Sequence, residues 1–407
     1  MSKKIKFSAV CTLFLIVLLH ASFGSASSGG EVGGYNFNDD SLAVLKIYDE
    51  PDEDYSFEES SEEPQLYSEE TEGDSQDTKI SAITVPFKKA AVDTSIKEKL
   101  IPCGMTVGVR IDTDGILVLG TGYVNGSDGM AHKPAEDVLI PGDLILSVNG
   151  QEVETKEDLR DAIKNAQEEA NIRLKREEEL LEVSITPVMC IDDNMSKIGV
   201  WVRDSTQGIG TVTYINPETN KFGALGHGIM DVDTKMLMRI KAGEVTNTYV
   251  HSIKKGKKGA PGELIGDITS GEYFGQVKLN NQYGLYGVVE NNAGSFGKEP
   301  VPVASKDVIE EGAATILSNI GSDSVKEYEA IIETVNKHSA DDSKGMIVRI
   351  TDEDLLNQTN GIVQGMSGSP ILQNGRLVGA VTHVFVQDPA KGYGIFIENM
   401  LKQESSF

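Results

Sequence analysis

The sequence predicts a mainly β protein in which a small α+β domain precedes a larger part built from two β-barrels. Residues 190–407 carry frequent glycines and short apolar runs without long helical periodicity, as is typical of small barrels. The 407 residues allow two or three domains with sizeable cores. The only tryptophan, Trp201, is predicted to lie in the core of the larger part.

The small domain is predicted from two turns and one capped helix. Residues 141–150 combine a Pro-Gly-Asp turn, an apolar strand and an Asn-Gly turn. Thr155, with Asp158 three residues later, has the spacing of a helix capping box. This pattern resembles a PDZ domain over residues 98–188. The buried face of the helix is predicted to contain Leu159, Ile163 and Ala166.

A peptide-binding loop is predicted near the start of this domain. Residues 102–109 read Pro-Cys-Gly-Met-Thr-Val-Gly-Val and stand where a PDZ domain has its carboxylate-binding loop. Backbone N–H groups there would hold a peptide C-terminus while the peptide adds a strand to the sheet. An internal peptide segment or an intramolecular contact would use the same groove. The residues assigned to the loop are Gly104, Met105, Thr106, Val107 and Gly108.

The serine with the clearest chemical setting is Ser367. Gly365 and Gly368 flank it, and glycines allow the backbone a tight turn with positive φ. Such a turn would aim the N–H groups of Gly365 and Ser367 into one space, which gives a nucleophile beside an oxyanion hole. The Asn374-Gly375 pair that follows is typical of a hairpin. The pattern differs from the nucleophile elbow Gly-x-Ser-x-Gly and favours a β-barrel protease.

A base for this serine has to come from six histidines. His227 lies between Gly226 and Gly228 after an apolar run, so a substrate could approach its ring closely. His383 is the rival, but its place in the middle of an apolar strand favours a hydrogen-bonded core histidine. From spacing alone, His227 could equally be a histidine in a turn without a catalytic role. The Ser367 segment could equally be a plain glycine-rich turn.

Four segments together resemble the stage IV sporulation protein B family, the serine peptidases of endospore-forming bacteria. They are residues 361–370 around the serine, residues 379–386 and 392–395 after it, and the Gly-His-Gly sequence around His227. The resemblance covers roughly residues 95–402. It implies a chymotrypsin-like double β-barrel, with His227 as base and Ser367 as nucleophile.

Asp352 is the residue that this resemblance assigns to the third catalytic position. It lies between His227 and Ser367 in the chain, which is the chymotrypsin-like order His, Asp, Ser. The assignment departs from those enzymes, because their acid lies much nearer the histidine. The same segment resembles a helix N-terminus, where acidic residues are favoured. The other candidates after His227 are Asp231, Asp233 and Asp267.

The N-terminal quarter is predicted to lie outside the folded domains. Residues 1–26 have a basic start, an apolar stretch and a small-residue cleavage site, which predicts a signal peptide or a membrane anchor. Residues 27–97 are predicted to be an acidic, largely disordered linker. Its most acidic part, residues 49–78, contains 14 Asp or Glu and no Lys or Arg. Because the net charge is −26, nucleic acid is an unsuitable partner.

The expected function is that of an extracytoplasmic serine endopeptidase with a regulatory PDZ domain. Family resemblance implies self-cleavage near the N-terminus and action on a membrane-bound protein in the space between forespore and mother cell. No cofactor or metal is expected, because no metal-ligand spacing or nucleotide motif is present. Cys103 and Cys190 leave a disulfide open. The alternatives are a general quality-control protease and a non-catalytic PDZ scaffold.

Overall fold

The computed structural model describes residues 48–49, 98–166, 168–290, 299–321 and 324–407, with backbone alone at 48–49 and 269–272. The strands of this part are β1 (Tyr48–Asp49), β2 (Lys99–Thr121), β3 (Val124–Asn125), β4 (Ala131–His132), β5 (Leu144–Val148), β6 (Gln151–Glu152), β7 (Ala170–Arg176), β8 (Glu179–Ile185), β9 (Val188–Met189), β10 (Ser196–Lys197), β11 (Val200–Ile215), β12 (Lys221–Ala224), β13 (Ile240–Lys254), β14 (Gly262–Asn281), β15 (Gly284–Val289), β16 (Val301–Pro302), β17 (Gly312–Ser318), β18 (Lys326–Val335), β19 (Met346–Ile350), β20 (Val363–Gln364), β21 (Pro370–Gln373), β22 (Arg376–Phe385) and β23 (Lys391–Phe396). The α-helices are α1 (Lys156–Asn165), α2 (Glu353–Thr359) and α3 (Ile397–Glu404), and two 3₁₀ turns span Lys306–Val308 and Asp342–Lys344.

Six strands close into the first barrel. Their order around it is β2, β11, β12, β15, β14 and β13, and β13 pairs with β2 again. Because side chains alternate between the two faces of a strand, one set from each strand points inward. That set includes Val107, Val212, Phe222 and Val245, all fully buried.

Another six strands close into the second barrel. Their order is β22, β21, β17, β18, β19 and β23, and β23 pairs with β22. Ile316, Ile332, Val348 and Ile371 are among the fully buried side chains of its core. Asn374 and Gly375 both have positive φ in the turn between β21 and β22, as the hairpin sequence predicted. The mainly β architecture with a double barrel is therefore confirmed.

The domain predicted to be a PDZ domain has its own core and its own helix. Strands β5, β7 and β8 continue the sheet from β2, and α1 covers them. Thr155 accepts from the Asp158 N–H while the Asp158 carboxylate accepts from the Thr155 N–H, which confirms the capping box. Leu159 and Ile163 on the inner face of α1 and Ala166 directly after the helix are buried, as the helical periodicity predicted.

The PDZ domain is an insertion within the first barrel. The first part of β2 contributes Ile101 and Ile111 to the barrel core, whereas its last part contributes Ile116 and Val118 to the PDZ core. The chain returns to the barrel along β11, which pairs with β2 over most of their length. The predicted division at residues 98–188 therefore placed a barrel strand in the PDZ domain. The pairing joins residues about 100 positions apart, so local sequence patterns did not reveal it.

The predicted peptide-binding loop at Gly104, Met105, Thr106, Val107 and Gly108 is corrected by this arrangement. These residues belong to β2, and β11 pairs with one edge of that segment. From Val107 onward β13 pairs with the other edge. An extended peptide cannot add a strand where both edges are already hydrogen-bonded. The segment is therefore part of the barrel wall.

The predicted signal peptide or anchor and most of the predicted acidic linker lie outside the described residues. Tyr48–Asp49 is described, and it pairs in parallel with Val384 and Phe385 of β22. Within the described part of the chain, none of the helices combines the length and the apolar character needed to cross a membrane. No disulfide joins Cys103, in the first barrel core, to Cys190, whose thiol contacts the Asp192 carboxylate.

Candidate active site

Ser367 lies in a tight loop between β20 and β21, on the second barrel. The loop is closed by two main-chain hydrogen bonds, from the Met366 N–H to Val363 and from the Ser369 N–H to Met366. Gly365 and Gly368 have φ values of +98° and +93°, which only glycine adopts without strain. At Gly368 a Cβ atom would also collide with the Thr211 carbonyl oxygen. The flanking glycines therefore have the structural role that the sequence predicted.

Strand β11 of the first barrel holds this loop from the other side. The Thr211 N–H donates to the Ser367 carbonyl at 3.0 Å, and its hydroxyl donates to the Gly365 carbonyl at 2.7 Å. The Thr213 hydroxyl donates to the Gly368 carbonyl at 2.8 Å. Because hydroxyl bonds to carbonyls fix the peptide planes, the two barrels together determine the shape of the serine loop.

His227 follows β12 on the first barrel, in the tautomer that a general base needs. Its Nδ1 lies 2.9 Å from the Gly228 carbonyl oxygen. A carbonyl oxygen only accepts hydrogen bonds, so Nδ1 carries the proton and Nε2 is left with its lone pair. Nε2 is buried and makes no hydrogen bond within the described residues. Burial disfavours the charged ring and lowers the pKa of His227.

The Ser367 hydroxyl makes a hydrogen bond to the loop that carries His227, and not to the imidazole itself. Its hydroxyl donates to the Leu225 carbonyl at 2.7 Å, two residues before His227 in the chain. Leu225 has a φ of +68°, an uncommon value for a side chain other than glycine, asparagine or aspartate. The structure thus brings the predicted nucleophile to the loop of the predicted base. Proton transfer requires the hydroxyl to turn from Leu225 toward Nε2.

His383 packs against His227, and in the part of the chain that the structure describes its Nδ1 lacks the hydrogen bond expected for a core histidine. The two ring centroids are 5.0 Å apart, and His383 Nδ1 is buried with no hydrogen bond within the described residues. Burial, with the charges of His227 and Lys344, lowers the pKa of His383 to about 3. The nearby charge of Asp341 acts in the opposite direction. Asp341 could not be identified from sequence patterns, because it lies in an irregular segment before a 3₁₀ turn.

Asp352 is placed at the N-terminus of α2. Its carboxylate accepts from the Leu355 N–H at 2.9 Å and from the Glu329 N–H at 3.3 Å. Within the described residues it makes no hydrogen bond to His227, whose Nδ1 faces Gly228. The structure therefore shows the capping role directly. The third catalytic position remains a prediction from family resemblance.

Two of the other three acidic candidates, Asp231 and Asp233, have partners of their own. Asp231 is buried, forms an ion pair with Arg203 and accepts from the Thr234 N–H and hydroxyl. Asp233 shares the Arg203 guanidinium. Asp267 lies on β14 with an exposed side chain. Asp231 thus stabilises the loop after His227, with its carboxylate held in that loop.

The substitution Asp352→Asn distinguishes the observed capping role of Asp352 from its predicted catalytic role. Asparagine is as good a helix cap as aspartate, so the stability of α2 should change little. The triad assignment predicts that turnover falls by roughly 10⁴, because the imidazole loses its orienting carboxylate. Thermal unfolding and peptidase assays of the same preparation measure both effects. If turnover stays near that of the unsubstituted chain, Asp352 does not orient the imidazole. The Gly228 carbonyl would then have that role.

The arrangement of loops supports acyl transfer by a serine hydroxyl. A hydroxyl nucleophile lies on one barrel and an imidazole in the base tautomer on the other, and the hydrogen bond from Ser367 to Leu225 joins the two loops. In the described residues, no group of three or more His, Cys, Asp or Glu side chains is arranged to hold a metal ion. The N–H groups of Gly365 and Ser367 remain the predicted oxyanion hole.

A double β-barrel with a serine and a histidine on facing loops defines the chymotrypsin-like serine peptidases. Residues 194–401, half of the chain, match the family described as SpoIVB peptidase S55, and residues 127–176 match the PDZ domain family. The chain therefore belongs to the SpoIVB peptidase S55 family and carries a PDZ domain, which confirms the predicted family.

Solved structures and curated proteins show more distant similarity. The PDZ domain of the SdrC-like protein Lmo2051 of Listeria monocytogenes is 24% identical, and the match covers 22% of this chain and 90% of that one, with a TM-score of 0.19. Rv3671c of M. tuberculosis is 13% identical, over 49% of this chain and 82% of that one, with a TM-score of 0.28. A Helicobacter pylori protein described as a zinc metalloprotease is 26% identical over 121 residues, 29% of this chain. The chain spans about a third of the length of that curated relative.

Proposed function

We propose that this chain is an extracytoplasmic serine endopeptidase that cleaves its own N-terminal region and then a partner protein during endospore formation. Membership of the SpoIVB peptidase S55 family supports the sporulation role. The observation that carries the catalytic part is the His227 tautomer, which leaves Nε2 able to accept a proton beside the Ser367 loop.

The reaction begins when the Ser367 hydroxyl leaves the Leu225 carbonyl and turns toward His227. Nε2 takes the hydroxyl proton while Oγ attacks the scissile carbonyl carbon. The N–H groups of Gly365 and Ser367 stabilise the oxyanion, and protonated His227 then gives its proton to the leaving amine. A water molecule, activated by the same imidazole, releases the acyl group from Ser367.

The position of Tyr48–Asp49 supports cleavage in the N-terminal region. This short strand pairs with Val384 and Phe385, the residues directly after His383 on β22. Tyr48–Asp49 therefore lies beside β22, at a point close in the chain to His383 of the histidine pair. The predicted signal segment supports a location outside the cytoplasm, and the substrate in or at a membrane is part of the same proposal.

Self-cleavage is tested by incubating the purified full-length chain and measuring its intact mass over time. We expect the unsubstituted chain to lose an N-terminal segment and the Ser367→Ala chain to keep its full mass. Rates measured at several protein concentrations distinguish cleavage within one chain from cleavage between chains. A full-length mass that persists in the folded, unsubstituted chain would contradict self-cleavage and favour a non-catalytic scaffold.

A further inference from the structure

Another part of the same chain occupies the sheet edge of the PDZ domain where a peptide ligand would bind. PDZ domains take an extended peptide as an added strand at a free sheet edge. On β2, residues 116–117 pair with β5 along one edge. The opposite edge, at residues 117–121, is paired antiparallel with residues 200–203 of the chain itself. We name residues 198–203 the groove segment.

The groove segment has the alternating pattern of a bound peptide. Ile198 is 3% exposed in the PDZ core, and Val200 and Val202 pack against the same core. Trp201, between them, is 50% exposed, so the prediction that it lies in a core is wrong. Alternate side chains of an extended segment point to opposite faces, and here only one set enters the domain.

Hydrogen bonds and helix packing also hold the groove segment and the adjoining Asp204 against β2 and α1. The Gly122 N–H donates to the Gly199 carbonyl at 2.8 Å, and helix α1 packs against β10 and β11. At the end of the segment, the Asp204 carboxylate accepts from the N–H of Lys156, the first residue of α1, at 2.9 Å. The Asp204 carbonyl accepts from the Thr113 hydroxyl at 2.8 Å.

We propose that the groove segment is an intramolecular ligand of the PDZ domain, which keeps its peptide groove closed until a partner peptide displaces the segment. The segment follows β8, the last strand of the PDZ domain, and leads into the barrel part of β11. It therefore belongs to the connection between the PDZ domain and the barrel.

An irregularity in the strand pairing separates the groove segment from the barrel part of β11. The register between β2 and β11 shifts between Arg203 and Ser205, at the end of the segment, and also between Trp201 and Val202 within it. Beyond this point β11 is part of the first barrel, where Thr211 and Thr213 hold the serine loop. Arg203, at the end of the segment, pairs with Asp231 in the loop after His227. Displacement of the segment would therefore disturb this ion pair and, with it, the loop after His227.

The closed groove predicts weak binding of a competing peptide. A tethered segment acts at an effective concentration in the millimolar range, so an external peptide of equal affinity competes poorly. The probe is a fluorescein-labelled peptide with the sequence of residues 196–204, measured by fluorescence anisotropy. The protein is the full-length chain carrying Ser367→Ala, which cannot cleave the probe and makes the result independent of the proposed peptidase function.

In this background, the double variant Val200→Ser with Val202→Ser is expected to bind the probe roughly 100-fold more tightly than the parent. The substitutions weaken the tethered segment while leaving β2 and α1 unchanged. Trp201→Ser is the matched control, because the side chain lies on the same strand and is half exposed. It should bind the probe as weakly as the parent. Both the double variant and Asp204→Ala are opening variants, which means that they should release the segment from the groove. Asp204→Ala removes the hydrogen bond to the Lys156 N–H and leaves the core untouched, and it should bind the probe several-fold more tightly than the parent.

Three results would overturn the proposal. The first is tight probe binding by the parent, because the groove would then be open. The second is an equal gain in the Trp201→Ser control, because the gain would then not come from the groove. The third is weak binding by both opening variants, because the segment would then be no ligand. If thermal unfolding shows that the double variant is not folded, Asp204→Ala alone decides.

Discussion

Replacing Ser367 with alanine is expected to abolish peptidase turnover, with a loss of roughly six orders of magnitude. The hydroxyl is the nucleophile of the proposed reaction, and an alanine side chain has no atom that can form the acyl intermediate. Ser367 is 1% exposed and its hydroxyl makes one hydrogen bond, to Leu225, so alanine fits the space. Turnover of a peptide substrate and the thermal unfolding midpoint are measured on the same preparation.

The matched control for this change is Ser369→Ala. Ser369 lies in the same loop and is fully buried, and its hydroxyl makes no hydrogen bond within the described residues. We expect Ser369→Ala to keep most of the turnover. Loss of turnover in Ser369→Ala with activity retained in Ser367→Ala would mean that the nucleophile is misassigned by two positions.

Replacing His227 with alanine is expected to cause a loss of similar size, because removing the base of a triad costs about as much as removing the nucleophile. His383→Phe is the control, since it keeps an aromatic ring against His227 and removes the second imidazole. We expect this variant to keep most of the activity. Activity retained in His227→Ala and lost in His383→Phe would reverse the roles of the two histidines.

The pH profile provides a second measurement of the same base. His227 acts as a base only when neutral, and burial lowers its pKa below the ordinary value of about 6.5. Activity should therefore persist below pH 6.5 and decline as the pH falls through the lowered pKa. His383 has its pKa lowered to about 3, so the free energy of unfolding should also fall as the pH drops from about 6.5 toward 3. Activity must accordingly be normalised to the folded fraction.

Local sequence signals predicted the parts of the molecule that depend on a few adjacent residues. The capping box at Thr155 and the hairpin turn at Asn374 follow from side chain and backbone preferences within four residues. The glycines around Ser367 are similar, because the positive φ values and the close approach of Thr211 require residues without a Cβ. For these features the structure agrees with the sequence-based prediction.

Features that depend on distant pairing were missed or predicted incorrectly. The first part of β2 has PDZ-like residues, but its partners are β11 and β13 of the barrel. Trp201 was predicted to be buried from residue type alone, whereas its exposure is decided by which face of the groove segment enters the PDZ domain. Asp341 was missed because only the fold brings it near His383. Each of these depends on contacts that no local pattern encodes.

The most direct test of the account is the site of covalent labelling by a fluorophosphonate. An activated serine attacks the phosphorus atom and displaces fluoride, so the adduct identifies the nucleophile without knowledge of the substrate. The folded full-length chain is labelled, digested and analysed by mass spectrometry. We predict an adduct on Ser367 that is lost in His227→Ala. An adduct on Ser369, or undiminished labelling of Ser367 in His227→Ala, would contradict the assignment of Ser367 and His227 as nucleophile and base.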